Sequence, residues 1–263
     1  MSTNESETQN AGTTDADVGP VGDRTPVVLV HDLRISGASM HRIAAAITDR
    51  PVVHPDLPGH GARSDEVFTM DAAADAVIRA IDELGRPAVV AGISLGGYVS
   101  MATAGRMPDS VAGLVLMGAT AQPSRALAAP FQAFGAATSV LPAQAALISM
   151  GLTRLAVGRR VARDMEAGGL ALHSIRDVVA ELSRFDALTE LSRYPGPIEL
   201  INGGWDQFRV HEKRFAAVSD ATRLRVLPRA THLYPLIQPE LTGAMISDVA
   251  AARDAAAVAA RSR

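Results

Sequence analysis

The stretch GISLGG at residues 92–97 joins a strand-like apolar run, RPAVVA, to a helix-like run. A chain that passes directly from a strand into a helix must turn sharply, and a sharp turn has little room for side chains. Gly92 and Gly96 leave that room around Ser94, and Gly97 lets the helix pack closely on a sheet. The pattern predicts a strand–turn–helix unit with the Ser94 hydroxyl above the sheet. A glycine-rich turn that merely begins a helix is the alternative interpretation.

The rest of the chain repeats this alternation. Runs of apolar, often β-branched residues predict strands, and helix-forming segments follow most of them; the predicted strands are 25–31, 50–56, 86–93, 111–118, 196–203 and 222–228. Strands that alternate with helices indicate a mostly parallel sheet covered on both faces. We therefore predict an α/β fold with a sheet of about six strands.

The same pattern divides the chain into three parts. Residues 1–24 are polar and acidic, lack the features of a signal peptide, and predict a disordered tail on a cytoplasmic protein. Residues 25–118 and 191–263 form the predicted α/β core. Residues 119–190 contain helix formers interrupted by prolines and a glycine pair but no convincing strand, which predicts a helical lid inserted before the fifth strand.

Composition excludes several functions. The net charge is −3 and the basic residues are scattered, so no strong field favours nucleic acid. No apolar run approaches the length of a membrane span. The chain has no cysteine, which excludes disulfides, thiolate catalysis and cysteine-based metal sites. No histidine pair has convincing metal-ligand spacing, so we expect no metal and no cofactor; the oligomeric state stays open.

A serine hydroxyl is a poor nucleophile without a base, and a histidine base needs a carboxylate to orient it. His232 lies just beyond the last predicted strand, and Asp206 directly follows the strand before it. The segment LVLMGATAQ after the fourth strand offers no rival acid. Loops at the carboxyl edge of a parallel sheet lie near one another. The sequence therefore predicts that Ser94, Asp206 and His232 meet at this edge.

Four segments in this order resemble the α/β-hydrolase fold superfamily, in particular its serine esterases and lipases with a helical lid, over residues 25–260. GISLGG resembles the nucleophile elbow, PDLPGHGARS (55–64) resembles a loop of the family, FDALTELSRYPGPIELINGGWD resembles the segment that leads into the acid, and ATHLYPLIQPE resembles the histidine loop. The order serine, aspartate, histidine is also that of the family.

The resemblance implies a role for each residue. Ser94 is expected to be the nucleophile, Asp206 the acid and His232 the base, with the backbone N–H groups of Leu33 and Leu95 forming an oxyanion hole. The expected reaction is hydrolysis of a carboxylic ester, lactone or thioester through an acyl-enzyme. A carbon–carbon hydrolase or lyase on the same fold is one alternative, and a ligand-binding protein with little turnover is another.

The lid suggests the substrate. Its many apolar residues favour a small molecule with an apolar portion, which Phe131 and Leu147 are expected to contact. Arg34 is a candidate for binding an anionic group of the substrate, with pairing to a nearby acid as the alternative. Asp32 stands where the family normally has glycine. A carboxylate would oppose an oxyanion, so we expect the Asp32 side chain to turn away from the pocket or to be neutralised, with Arg34 nearest in sequence.

Overall fold

A computed structural model describes residues 23–140 and 142–262 of the protein, so most of the predicted tail lies outside the described residues. Within them, one sheet contains six strands in the order β2-β1-β3-β4-β5-β6, and every neighbouring pair is parallel. The strands are β1 (Val27–Val30), β2 (Val52–Val53), β3 (Ala88–Ile93), β4 (Val111–Met117), β5 (Ile198–Gly203) and β6 (Thr222–Leu227). The predicted α/β fold with a six-stranded parallel sheet is confirmed.

The strand residues explain where the core lies. Every residue of β1 and β3 is buried, as expected of central parallel strands that helices cover on both faces. One face packs against α2 (Met70–Leu84) and α3 (Leu95–Arg106). The other packs against α1 (His41–Ala46) and the helices α9 (Tyr234–Ile237) and α10 (Pro239–Arg261) at the end of the chain. The short helix α8 (Glu212–Ala216) connects β5 to β6.

Helix ends follow local residue chemistry. The helix α2 begins after Thr69, whose side chain accepts a hydrogen bond from the Ala72 N–H, and ends at Gly85, which adopts φ 69°. The last helical segment of the chain is divided between α9 and α10 at Gln238. Pro239 has no N–H to continue the first helix and favours the first turn of the second.

Between β4 and β5, all the regular secondary structure in the described residues is helical. It contains α4 (Arg125–Val140), α5 (Pro142–Glu166), α6 (Ile175–Leu182) and α7 (Ala187–Ser192). The helix α5 is kinked at Gly158, which has φ 78°. The predicted lid boundary at residue 190 falls inside α7, and Leu191 of this helix is fully buried in the core beside α3. The last helix of the insertion thus contributes to the core.

Candidate active site

Ser94 occupies the turn between β3 and α3. Its backbone has φ 51° and ψ −111°, a strained conformation for a residue with a side chain, and its N–H donates to the Met117 carbonyl at 2.8 Å. A Cβ at Gly92 would overlap the Gly96 carbonyl, and one at Gly96 would overlap the Val30 carbonyl. The flanking glycines therefore permit the close approach of strand and helix that the sequence predicted.

Asp206 and His232 lie in the loops that follow β5 and β6. Asp206 is only 6% exposed. Its Oδ2 lies 2.9 Å from His232 Nδ1, and its Oδ1 accepts a hydrogen bond from the Phe208 N–H at 2.8 Å. An ionised carboxylate only accepts hydrogen bonds, so His232 Nδ1 carries the hydrogen. The Nε2 atom of neutral His232 is then left as a proton acceptor.

Gly118 and Phe208 also shape this pair, and sequence reasoning missed both. Gly118, directly after β4, has φ 64°, and a Cβ there would lie 2.8 Å from the His232 ring and 3.0 Å from Asp206 Oδ2. The Phe208 ring packs against the His232 ring with centroids 4.7 Å apart. A glycine at the end of a central strand was the available signal for Gly118, because it leaves room for neighbouring loops. No sequence pattern marked Phe208.

The protonation of His232 depends on two carboxylates. Burial lowers the pKa of His232, but the hydrogen bond that its Nδ1–H donates to Asp206, then the charge of Asp32 and that of Asp206, outweigh burial and raise the pKa above its ordinary value. His232 thus holds a proton more readily than an isolated histidine does. The contribution of Asp32 means that its carboxylate acts on the same site.

A cavity of about 440 Å³ lies over these residues. Of the predicted site residues, it is lined by Leu33, Arg34, Ser94, Leu95, Phe131 and His232. Asp206 lies behind His232. Leu147 is not among the lining residues and is 66% exposed on α5. The structure therefore brings together every predicted site residue except Leu147. The other walls are largely apolar and include Leu127, Val157, Val179 and Leu182.

The two predicted oxyanion donors differ. Leu95 is the first residue of α3, where a backbone N–H has no partner within its own helix. The Leu33 N–H instead donates to Asp32 Oδ1 at 2.6 Å. Asp32 also lines the cavity, which contradicts the first alternative expected for its side chain, that it turns away from the pocket. The second alternative, neutralisation with Arg34 nearest in sequence, stays a prediction. The Asp32 carboxylate is stabilised where it stands by accepting the N–H of the next residue.

The backbone around Leu33 is held on both sides. His31 Nδ1 lies 2.9 Å from the Asp32 carbonyl, and His31 Nε2 accepts the Leu57 N–H at 3.1 Å. Burial, aided by the neighbouring His60, lowers the pKa of His31 to about 3, so its ring stays neutral and donates through Nδ1.

On the other side of Leu33, the Ala171 N–H donates to the Arg34 carbonyl at 2.9 Å, and Arg34 has φ 71°. Residues 32–34 thus form a bend with hydrogen bonds at both ends.

Across 23–140 and 142–262, no group of three or more histidine, aspartate or glutamate side chains has the arrangement of a metal site. In that part of the chain, no helix has the length and apolar character needed to cross a membrane.

Two of the curated proteins that are similar to the chain match it over part of its length. It is 40% identical over 102 residues to the lipase LipV of Mycobacterium tuberculosis, and this match covers 38% of each protein. It is 37% identical over 102 residues to a pimeloyl-[acyl-carrier protein] methyl ester esterase of Chromobacterium violaceum, covering 38% of this chain and 39% of that one. The chain thus matches less than two fifths of the length of these relatives.

Two further comparisons extend over most of the chain. An esterase from Thermogutta terrifontis superposes with a TM-score of 0.72 at 24% identity, covering 88% of this chain and 90% of the other. At this identity the likeness concerns the fold. The sequence model of the alpha/beta hydrolase family matches residues 27–244. The chain therefore belongs to the alpha/beta hydrolase family.

Proposed function

We propose that the protein is a serine hydrolase that cleaves the carboxylic ester, lactone or thioester of a small molecule with an apolar portion. The hydrogen-bonded pair of Asp206 and His232, at the same cavity as the strained Ser94 turn, carries this proposal. The esterase and lipase relatives support a hydrolase.

The proposed reaction has two halves. Ser94 Oγ attacks the substrate carbonyl carbon while His232 Nε2 takes the hydroxyl proton, and the Leu95 N–H stabilises the oxyanion that forms. The carbon–oxygen bond to the alcohol then breaks, and His232 returns the proton to the leaving oxygen. A water molecule attacks the acyl-enzyme in the same way, which releases the acid and restores Ser94. Asp206 orients His232 and stabilises its charge in both halves.

The proposal is tested with a panel of p-nitrophenyl esters from acetyl to dodecanoyl and with an organophosphonate probe read by intact mass. We expect turnover of at least one chain length and labelling of one serine per chain. Ser124→Ala is the matched control, because Ser124 lines the same cavity, and this variant should label normally. Labelling that is lost in Ser124→Ala, or absence of both labelling and turnover, contradicts the proposed nucleophile.

We also propose that residues 119–190 act as a lid that selects the acyl chain. Phe131 lines the cavity and stacks on Phe208 with centroids 5.9 Å apart. Phe131→Ala enlarges the apolar pocket and removes contacts to the acyl chain, so the preferred chain length should change. Individual esters should lose or gain about 1–3 kcal/mol of transition-state binding, which kcat/KM across the panel measures.

Leu147→Ala is the matched control for this prediction. Leu147 is in the same insertion but exposed outside the cavity, so its truncation should leave the chain-length profile unchanged. If the wild type and Phe131→Ala had the same chain-length profile, the proposal that Phe131 and the lid select the acyl chain would be contradicted.

The pH profile should carry the signature of the raised His232 pKa. His232 must be neutral to accept the Ser94 proton, so kcat/KM should rise with pH around a value above about 6.5, the ordinary histidine pKa. Asp32→Asn removes one of the charges that raise this pKa, so the rise should move to lower pH. Asp109→Asn, a charge change at an exposed position, should leave it in place. An unmoved profile in Asp32→Asn would contradict the electrostatic role of Asp32.

A further inference from the structure

Asp32 places a carboxylate in an otherwise largely apolar cavity. It is the one acidic residue among the described residues that line the cavity, and it is 7% exposed. Burial of a carboxylate is costly unless the group is compensated. The compensation that the structure provides is the Leu33 N–H, which the sequence predicted as the second donor to the oxyanion beside Leu95. One hydrogen bond therefore links the charge in the cavity to the catalytic machinery.

The Asp32 side chain is the part of this arrangement that can move. The Asp32 carbonyl accepts from His31 and the Arg34 carbonyl accepts from Ala171, so the main chain on both sides of the Leu33 N–H is held. Rotation of the Asp32 side chain frees the Leu33 N–H without moving the backbone. Whatever draws the carboxylate away therefore restores a second oxyanion donor beside Leu95.

A neutral ester has no group that draws the carboxylate away. Its carbonyl oxygen competes with the carboxylate for the Leu33 N–H, and its oxyanion develops beside a negative charge. An ester with an ammonium group on the carbon next to the carbonyl pairs with the carboxylate instead. Such a substrate neutralises the charge and releases the Leu33 N–H in one step.

We propose that Asp32 selects esters that carry an ammonium group on the carbon next to the scissile carbonyl, the remainder of the acyl portion being apolar. This inference rests on the proposed ester hydrolysis and names its substrate class. Arg34 also lines the cavity, but it lines a second, smaller pocket as well. Asp32, by contrast, accepts the hydrogen bond of the Leu33 N–H, the predicted oxyanion donor, and its charge acts on His232.

The test compares two esters of the same shape. They are L-phenylalanine ethyl ester and ethyl 2-methyl-3-phenylpropanoate of matching configuration, in which a methyl group replaces the ammonium group. Acid release is followed by titration, and Ser94→Ala provides the background. The wild type should prefer the ammonium ester in kcat/KM by about tenfold to hundredfold, the range of a charge-assisted hydrogen bond. The ratio is taken within each variant, so differences in folded fraction cancel.

Two substitutions separate charge from hydrogen bonding. Asp32→Asn keeps an oxygen that can accept the Leu33 N–H but removes the charge, so the preference for the ammonium ester should fall to about onefold to threefold. Asp32→Gly also frees the Leu33 N–H, so kcat for the neutral ester should rise at least tenfold, since an oxyanion donor is worth more than that in kcat. Asp109→Asn, with its exposed carboxylate, should keep the wild-type ratio.

Each contrary outcome has a definite meaning. Equal rates for the two esters in the wild type overturn the inference, and so does a preference for an ester with an added carboxylate, which would favour Arg34 as the binding group. Loss of all turnover in both Asp32 variants, with Ser94 still labelled by the organophosphonate, overturns it by making Asp32 essential to the chemistry. Absence of both turnover and labelling in the wild type overturns the proposed function together with this inference.

Discussion

Ser94→Ala should lower kcat for ester hydrolysis by about 10⁵–10⁶-fold and abolish labelling by an organophosphonate. Removal of the nucleophile from a serine–histidine–aspartate unit costs about as much as removal of the whole unit, because His232 and Asp206 have nothing left to activate. Intact-mass labelling and the hydrolysis rate of the best p-nitrophenyl ester measure the two effects. The fold should persist, because the substitution removes only a hydroxyl group and leaves in place Gly92 and Gly96, which permit the close packing of strand and helix.

Ser124→Ala and Ser183→Ala are the controls, because both serines line the cavity. Each should retain labelling and most of its turnover. Labelling that persists in Ser94→Ala would show that Ser94 is not the nucleophile, and Ser124 and Ser183 would then be the next candidates.

Asp206→Asn should lower kcat by about 10³–10⁴-fold while leaving the fold intact. The Phe208 N–H donates to Oδ1 at 2.8 Å and would hold the amide oxygen of asparagine at that position. The amide NH₂ group would then face His232 Nδ1 and donate to it. This forces the hydrogen of neutral His232 onto Nε2, the atom that accepts the Ser94 proton in the proposed mechanism.

The measurement combines steady-state kinetics with thermal unfolding. An unchanged melting temperature with the expected loss of kcat supports the role of Asp206 in fixing the tautomer. Retention of more than about a tenth of the wild-type kcat would mean that another carboxylate orients His232, and Asp32 is then the first to test, because its charge also acts on this ring.

The fold was predictable because its determinants are local and repeated. Each β-branched run is a strand of the sheet, and the glycines around Ser94 required a turn whatever the distant parts of the chain did. The meeting of Asp206 with His232 followed from one further rule, that the carboxyl ends of parallel strands share an edge. The order of the strands, helices and loops along the chain was therefore enough to predict the sheet, the turn at Ser94 and the meeting of Asp206 with His232.

The features that were missed depend on side-chain direction. Leu147 is as apolar as the cavity residues, but which face of a helix in the segment between β4 and β5 points inward is decided by packing between distant segments. The engagement of Leu33 by Asp32 depends on a single side-chain rotation, which residue type does not specify. Gly118 matters because two loops from later strands converge on it, and that convergence exists only in the folded protein.

The wide separation of Ser94 and His232 along the chain has a consequence for biosynthesis. His232 follows Ser94 by 138 residues, the difference of the two numbers. At about 5–20 residues per second, a ribosome adds the histidine roughly 7–28 s after the serine. Throughout that interval the nascent chain carries the proposed nucleophile without its proposed base. Reactivity toward an organophosphonate should therefore appear only after β6 and the His232 loop join the sheet, which makes the label a reporter of completed folding.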